Sequence, residues 1–278
     1  ILDPFKQLNI PFKEMSINTN TKMFKVTEHI RIDENPISII KELIIKKARK
    51  EQILCFMPSK REVRDAVQIL KDDGIQSYPL FAQQSSKLQR QYIEDGSVFF
   101  STNIAETSLT FPNLRYVVDS GKENNFTYNK DEDVGELVEE YVCIIVTKQM
   151  QGRLGIMCDG DYYILYHKNK ITKKYPEAAI LRKNLVDTEF SFYCSKTDGL
   201  QSFKDYFPNP PEDEMIQHAI KQLREHKIIG STHNGLTKIG KHITEIPTMG
   251  SIEMTVAMYY GLEEYNCGRD LIRLSAIL

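Results

Sequence analysis

The residues best suited to chemistry lie in VFFSTNIAETSLTFPNLRYVVDSG, from Val98 to Gly121, where small hydroxyl and amide side chains crowd a loop behind a short apolar run. Open α/β sheets place their ligands outside the C-terminal ends of the strands. Hydroxyls and backbone amides at such a loop can donate to phosphate oxygens at close range. An ordinary polar loop is the competing reading. A second candidate is Ser59, Lys60 and Arg61 in ILCFMPSKREV. They stand where a strand should give way to a helix N-terminus, which is suited to anions because its first amides lack intrahelical partners. A capped helix with solvated charges explains the same residues.

The elements that must hold these groups are legible from about Ile37 to Ile164, where helical stretches alternate with strongly β-forming runs. That alternation predicts a parallel sheet with crossover helices. PISIIKELIIKKARK reads as an amphipathic helix and QILCF as a buried strand. Ser59 and Glu62 form a capping-box signature before KREVRDAVQILKDD, and Gly74 is placed to stop that helix. QSYPLF reads as the next strand, Ser86 with Gln89 as a second capping box, and SVFFST and RYVVDSG as two further strands. The Asn- and acid-rich run between Gly121 and Val146 predicts a long β-hairpin leaving the sheet, which resumes at YVCIIV and DYYILYH.

Near Lys168 the alternation stops in a basic run, and a domain boundary is expected there. In EDEMIQHAIKQLREHKIIG the apolar residues Met215, Ile216, Ala219, Ile220 and Leu223 recur at helical spacing. Behind them, Asn234-Gly235 is a favoured turn between two short β-like segments, so that helix plus hairpin outline a winged helix. The last residues, from Ser251, read as one or two helices.

At 278 residues, 41% hydrophobic and 27% charged, the chain has the composition of a globular protein with two ordinary domains or one large one. No apolar run approaches the ~18 residues that span a bilayer, and no secretory signal is visible. The five cysteines lack C-x-x-C spacing, which disfavours a disulfide framework and a zinc site and fits an intracellular setting. His218, His226, His233 and His242 show no metal-ligand spacing, and no metal site is assigned. With a formal charge of −2, any nucleic-acid affinity must come from local basic surface.

STNIAETSLT before VVDSG resembles motif V of the DEAH-box, superfamily 2 RNA helicases. That resemblance implies a second RecA-like lobe followed by a winged helix. It places Thr102 and Asn103 on the RNA backbone and Ser108 and Thr110 towards the nucleotide. ILCFMPSKREV resembles motif IV, with Ser59, Lys60 and Arg61 on phosphates. SYPLFAQQSSKLQRQYIED resembles the segment whose aromatic residue stacks on adenine, here Tyr92; a Tyr packed on its own helix is the alternative. QMQGRLGI, Gln149 to Ile156, is similar to motif VI, Q-R-x-G-R-x-G-R, so Gln149 and Gly152 would meet the nucleotide and Arg153 would act as an arginine finger. Met150 and Ile156 replace two of its arginines, which points to weakened hydrolysis or a displaced loop.

On the resemblance, residues 1–28 are expected to end a first lobe or linker. Residues 29–167 would form the second lobe with its hairpin at 121–146, residues 168–246 the winged helix, and residues 247–278 the opening of a helical ratchet domain. The start, ILDPFKQLN, reads as interior sequence and the end as truncated. The function implied is that of the C-terminal part of an ATP-dependent RNA helicase. It would bind ATP or another NTP with Mg2+ jointly with a first lobe, because the phosphate-binding loop and the Asp-Glu-x-His motif are absent from these residues. The partners implied are single-stranded or duplex RNA and a protein activator on the winged helix, with no membrane. The alternatives are a catalytically weakened RNA-binding or docking module and a DNA helicase. The basic run Lys168, Lys170, Lys173 and Lys174 has a solvated face as its competing reading.

Overall fold

A computed structural model describes residues 11–13, 15, 24–106, 109–230, 235–247 and 251–277. The described residues divide into two compact units, one within 15–125 and 137–176, the other within 11–13, 126–136 and 177–277.

The first unit is built on a six-stranded sheet in the order β1-β8-β5-β2-β4-β3, every pairing parallel. Its strands are β1 (Val26–Ile30), β2 (Gln52–Phe56), β3 (Tyr78–Leu80), β4 (Val98–Ser101), β5 (Leu114–Asp119) and β8 (Gly160–Ile164). All five residues of β2 and all four of β4 are buried, as expected of strands covered on both faces. The period of two sends Leu54, Phe56, Phe99 and Val117 to one face and Ile53, Cys55, Phe100 and Val118 to the other. The second face is covered by α1 (Pro36–Lys46) and α2 (Lys60–Asp72) through Ile39, Ile40, Leu43, Val63, Ala66 and Leu70. The first face is covered by α3 (Ser86–Asp95) and α4 (Ile144–Gln151) through Ile93, Val146 and Met150.

Several expectations change. Val26–Ile30 is the edge strand beside β8 and not part of a linker; its sequence VTEHI is too polar to read as a buried strand. YVCIIV does not return to the sheet: the chain turns helical at Ile144. Cys143, Val146 and Met150 recur three and four residues apart and pack on one core, so tertiary context overrides the β preference of the run. The cap of α3 is Ser85, whose Oγ accepts from Leu88 N at 3.3 Å, and not Ser86. The sheet unit extends to Pro176 and so contains the basic run. The reason is local: Ile171 packs against the core, while the carbonyls of Lys173 and Lys174 accept from Ile144 N at 2.9 Å and Ile145 N at 3.2 Å.

The hairpin strands are β6 (Lys122–Asn129) and β7 (Val134–Tyr141). The tip, residues 126–136, belongs to the second unit. There it lies along α6 (Asp213–Glu225): Tyr128 Oη meets His218 Nε2 at 2.9 Å, Gln222 Nε2 donates to Asp133 at 3.0 Å, and Lys130 pairs with Glu214. The three helix partners are four residues apart, hence on one face.

The second unit also holds α5 (Val186–Cys194), α7 (Lys238–Ile243), α8 (Ile252–Glu263) and α9 (Gly268–Ser275). Ile216, Ala219, Ile220 and Leu223 form its core with Ile228, Ile229, Ile243, Ile252 and Val256, so α8, the helix after residue 247, shares that core. Behind α6 an antiparallel bridge joins Ile229 to Leu236. The second expected β segment is mostly the helix α7, capped by Thr237. Asn234 of the expected turn lies outside the described residues.

Candidate functional site

The C-terminal ends of β2, β4, β5 and β8 share one edge of the parallel sheet. After β2, Ser59 caps α2: its Oγ accepts from Glu62 N at 3.2 Å and donates to Glu62 Oε2 at 2.7 Å. The Ser59 hydroxyl is therefore spent on the helix, while Lys60 and Arg61 are exposed at its start. The Arg64 guanidinium lies 5.2 Å and the Lys60 ammonium 5.9 Å from the centre of the Phe81 ring, an arrangement that holds positive charge beside this turn.

After β4 the chain turns at once. Thr102 N donates to Leu80 O at 3.2 Å, Ser101 Oγ donates to the Thr102 carbonyl at 2.8 Å, and Asn103 opens a short 3-10 turn with its side chain exposed. Thr110 is exposed; Ser108 lies outside the described residues. Thr110, Ile104 and Leu109 line a cleft of about 560 Å³ whose other wall is α3, with Ser86, Arg90 and Glu94. Residues 86, 90 and 94 are successive positions at four-residue spacing. That four-residue stripe is the sequence signal for the wall, and Tyr92 is not part of it.

Tyr92 is on a different part of α3. It packs against the first core, with its ring 4.9 Å from that of Tyr78.

After β5, Asp119 is fully buried. It accepts from Gly121 N at 2.7 Å and from the hydroxyls of Tyr162 and Tyr166. Burial pushes its carboxyl above the ordinary range, and the three donors pull the other way. Gly121 has φ +72, and a Cβ there would meet the Tyr166 ring at 2.1 Å, so only glycine fits. This knot fixes the exit from β5 into the hairpin.

Before β8, α4 ends at Gly152, whose amide donates to Lys148 O at 2.8 Å. Gln149 and Gly152 are exposed. Arg153 Nη1 donates to the carbonyl of Leu109 at 3.2 Å, and its Nε is buried with no partner. The QMQGRLGI turn and the loop after β4 are thus joined through the arginine singled out from sequence. The two departures differ in kind: Met150 is 2% exposed, inside the core with Val146 and Leu154, whereas Ile156 is 56% exposed.

Residues 35–156 match the helicase conserved C-terminal domain family. Beyond that domain, the chain is similar to the C-terminal part of DEAH/DExH-box helicases. It is 28% identical over 209 residues to the ATP-dependent RNA helicase HrpA homolog of Haemophilus influenzae, covering 70% of this chain and 16% of that protein. It is 25% identical over 251 residues to the ATP-dependent DNA/RNA helicase DHX36 of Rattus norvegicus, covering 84% of this chain and 25% of that protein. The crystal structure of the Escherichia coli DExH-box NTPase HrpB superposes with a TM-score of 0.74 at 19% identity, over 91% of this chain and 32% of that one. The chain spans about a quarter or less of the length of these curated relatives. The likeness to HrpB shows the fold, and the matched residues 35–156 carry the loops after β2 and β4 and the turn at Arg153.

Proposed function

We propose that this chain supplies the second lobe of an ATP-dependent RNA helicase. Lys60, Arg61, Thr102 and Asn103 hold single-stranded RNA by its backbone, with Ser59 shaping the turn beneath them. Thr110, Gln149, Gly152 and Arg153 form one wall of the nucleotide cleft, with Ser108 on the same loop. Tyr92 is assigned to the adenine, a role that requires its ring to turn away from Tyr78 when nucleotide binds. The observation that carries the reading is the Arg153 side chain, tied by Nη1 to Leu109 O with a buried, unpartnered Nε. A buried unsatisfied donor is costly, and a phosphate oxygen arriving at that loop would satisfy it.

The donor set fits a nucleotide triphosphate, since a guanidinium, a hydroxyl, an amide side chain and glycine backbone all donate to phosphate oxygens. It contains no carboxylate, so in this reading Mg2+ is held from the first lobe. When bound, the nucleotide supplies the phosphoryl group whose hydrolysis drives motion. The role of this chain is to orient the phosphates and place the Arg153 cation beside them, an effect worth about a thousandfold or more in rate. The C-terminal unit acts as winged helix and start of the ratchet domain, and serves as the docking face for a protein activator.

One observation favours a second reading. Ile156, 56% exposed, occupies the position at which the resemblance to motif VI would have an arginine for the γ-phosphate. A helicase-like protein that binds RNA with slow turnover fits that surface. The test is RNA-stimulated ATP hydrolysis by the intact parent, unsubstituted and as Ile156→Arg and Arg153→Ala. Turnover abolished by Arg153→Ala supports the helicase reading. No more than slow turnover in both the unsubstituted protein and Ile156→Arg supports the second. The isolated 278-residue chain is expected to show no turnover.

A further inference from the structure

The basic run after β8 has no part in the site above, yet the topology brings it to the same edge of the sheet. β8 runs parallel to β2 and β4, so the segment that follows Ile164 emerges on the edge that carries Lys60, Arg61, Thr102 and Asn103. In the strand order, β8 lies two strands from β2 and three from β4. At about 4.8 Å per strand that is roughly 10–14 Å, a span that a few nucleotides of a single strand cross.

The segment is held in place. Lys170 N donates to His167 O at 2.9 Å, Ile171 N donates to Lys168 O at 3.2 Å, and the carbonyls of Lys173 and Lys174 accept from the first amides of α4. Two of its lysines are spent on carboxylates, Lys168 on Glu28 and Lys173 on Glu140. Lys170 and Lys174 are exposed and make no ion pair among the described residues. Beside them Tyr175 is 58% exposed, with the Lys174 ammonium 5.1 Å from its ring centre. No acidic residue occurs from Leu165 to Pro176.

We propose that Lys170, Lys174 and Tyr175 form an additional contact for single-stranded RNA, the lysines on successive phosphates and the tyrosine ring stacked on a base. This rests on the RNA reading of the strand-end loops and extends the strand's path across the sheet edge towards β8. Ammonium groups on a fixed backbone next to an exposed aromatic ring are the pairing that sequence-tolerant single-strand binding uses. A second basic run, Lys46, Lys47, Arg49 and Lys50, is as dense but precedes β2. It therefore sits at the opposite edge of the sheet, where cations complement the C-terminal end of α1.

The test is fluorescence anisotropy of the 278-residue chain with a fluorescein-labelled 12-nucleotide oligouridylate, titrated across salt concentrations. K170A/K174A is expected to bind about tenfold more weakly. Its slope of log affinity against log salt should fall by about 1.4, at about 0.7 per phosphate contact on a single strand. Y175A is expected to lose about tenfold and Y175F to bind as the unsubstituted chain does. K46A/K47A, at the opposite edge, is the charge-matched control and is expected to change affinity less than twofold. Unchanged affinity and slope in K170A/K174A, with the unsubstituted chain binding, overturns this contact while leaving the strand-end reading intact. An equal loss in K46A/K47A also overturns it, as a bulk charge effect. Failure of the unsubstituted chain to bind overturns both readings. Equal melting temperatures across the set establish that losses are not misfolding.

Discussion

The two ends of the parallel sheet use polar residues in opposite ways. Around the starts of β5 and β8 the charges answer one another. Arg115 pairs with Asp161 at 3.1 Å and lies 3.9 Å from Glu51, while His29 Nε2 meets Asp161 at 2.8 Å and stacks on Tyr163. That network is closed and stabilises the lobe. At the other end, Lys60 and Asn103, after β2 and β4, are exposed. Groups left unanswered at one end and matched at the other are what the proposed RNA contact after β2 and β4 requires. On that edge the closed cluster at Asp119 shapes the exit from β5.

The largest expected effects probe the parts of the functional edge that are structural. Met150→Arg should lose about 3–5 kcal/mol, because it buries an unpaired charge among Val146 and Leu154. Ile156→Arg, on the exposed side of the same turn, should stay within about 0.5 kcal/mol. Denaturant unfolding of the pair separates a departure built into the core from one confined to the surface. Gly121→Ala should cost about 3 kcal/mol, from the positive φ and the collision with Tyr166. A smaller loss would mean that the exit from β5 has room to relax.

A smaller effect concerns pH. Asp119 is raised by burial, so the folded state holds its proton more tightly than the unfolded chain does. Its contribution to stability is fully present below the ordinary carboxylate range and is lost as pH rises through the raised value. Asp119→Asn should remove that component from a pH series of thermal melts. The same pH dependence in the variant would assign it to another group. The smallest effect belongs to the closed end: Asp161→Asn should cost about 1 kcal/mol, since its partners are partly solvated. RNA affinity should be unchanged.

Much of the lobe was legible because burial on both faces leaves continuous apolar strands such as QILCF, and because Ser59 and Gly74 punctuate a helix in the ordinary way. The edge strand VTEHI was not, since an edge strand needs no apolar run. YVCIIV was misread because its β-branched residues also fit a helical face against the core. At the site, the motifs singled out Arg153 and the loop after β4 separately and left their join to the fold, and the capture of Tyr92 by Tyr78 depends on a residue fourteen positions upstream. The pinning of the hairpin tip to His218 and Gln222 is a pairing over about ninety residues between polar groups, which leaves no periodic trace in sequence.

The contrast between the two ends is tested most directly by hydrogen–deuterium exchange of this chain with and without single-stranded RNA. Protection should appear at the amides of residues 59–62 and 101–110 and be missing around Glu51, Arg115 and Asp161. Protection at that closed end, or none at the loops after β2 and β4 under conditions where RNA is bound, would contradict the account.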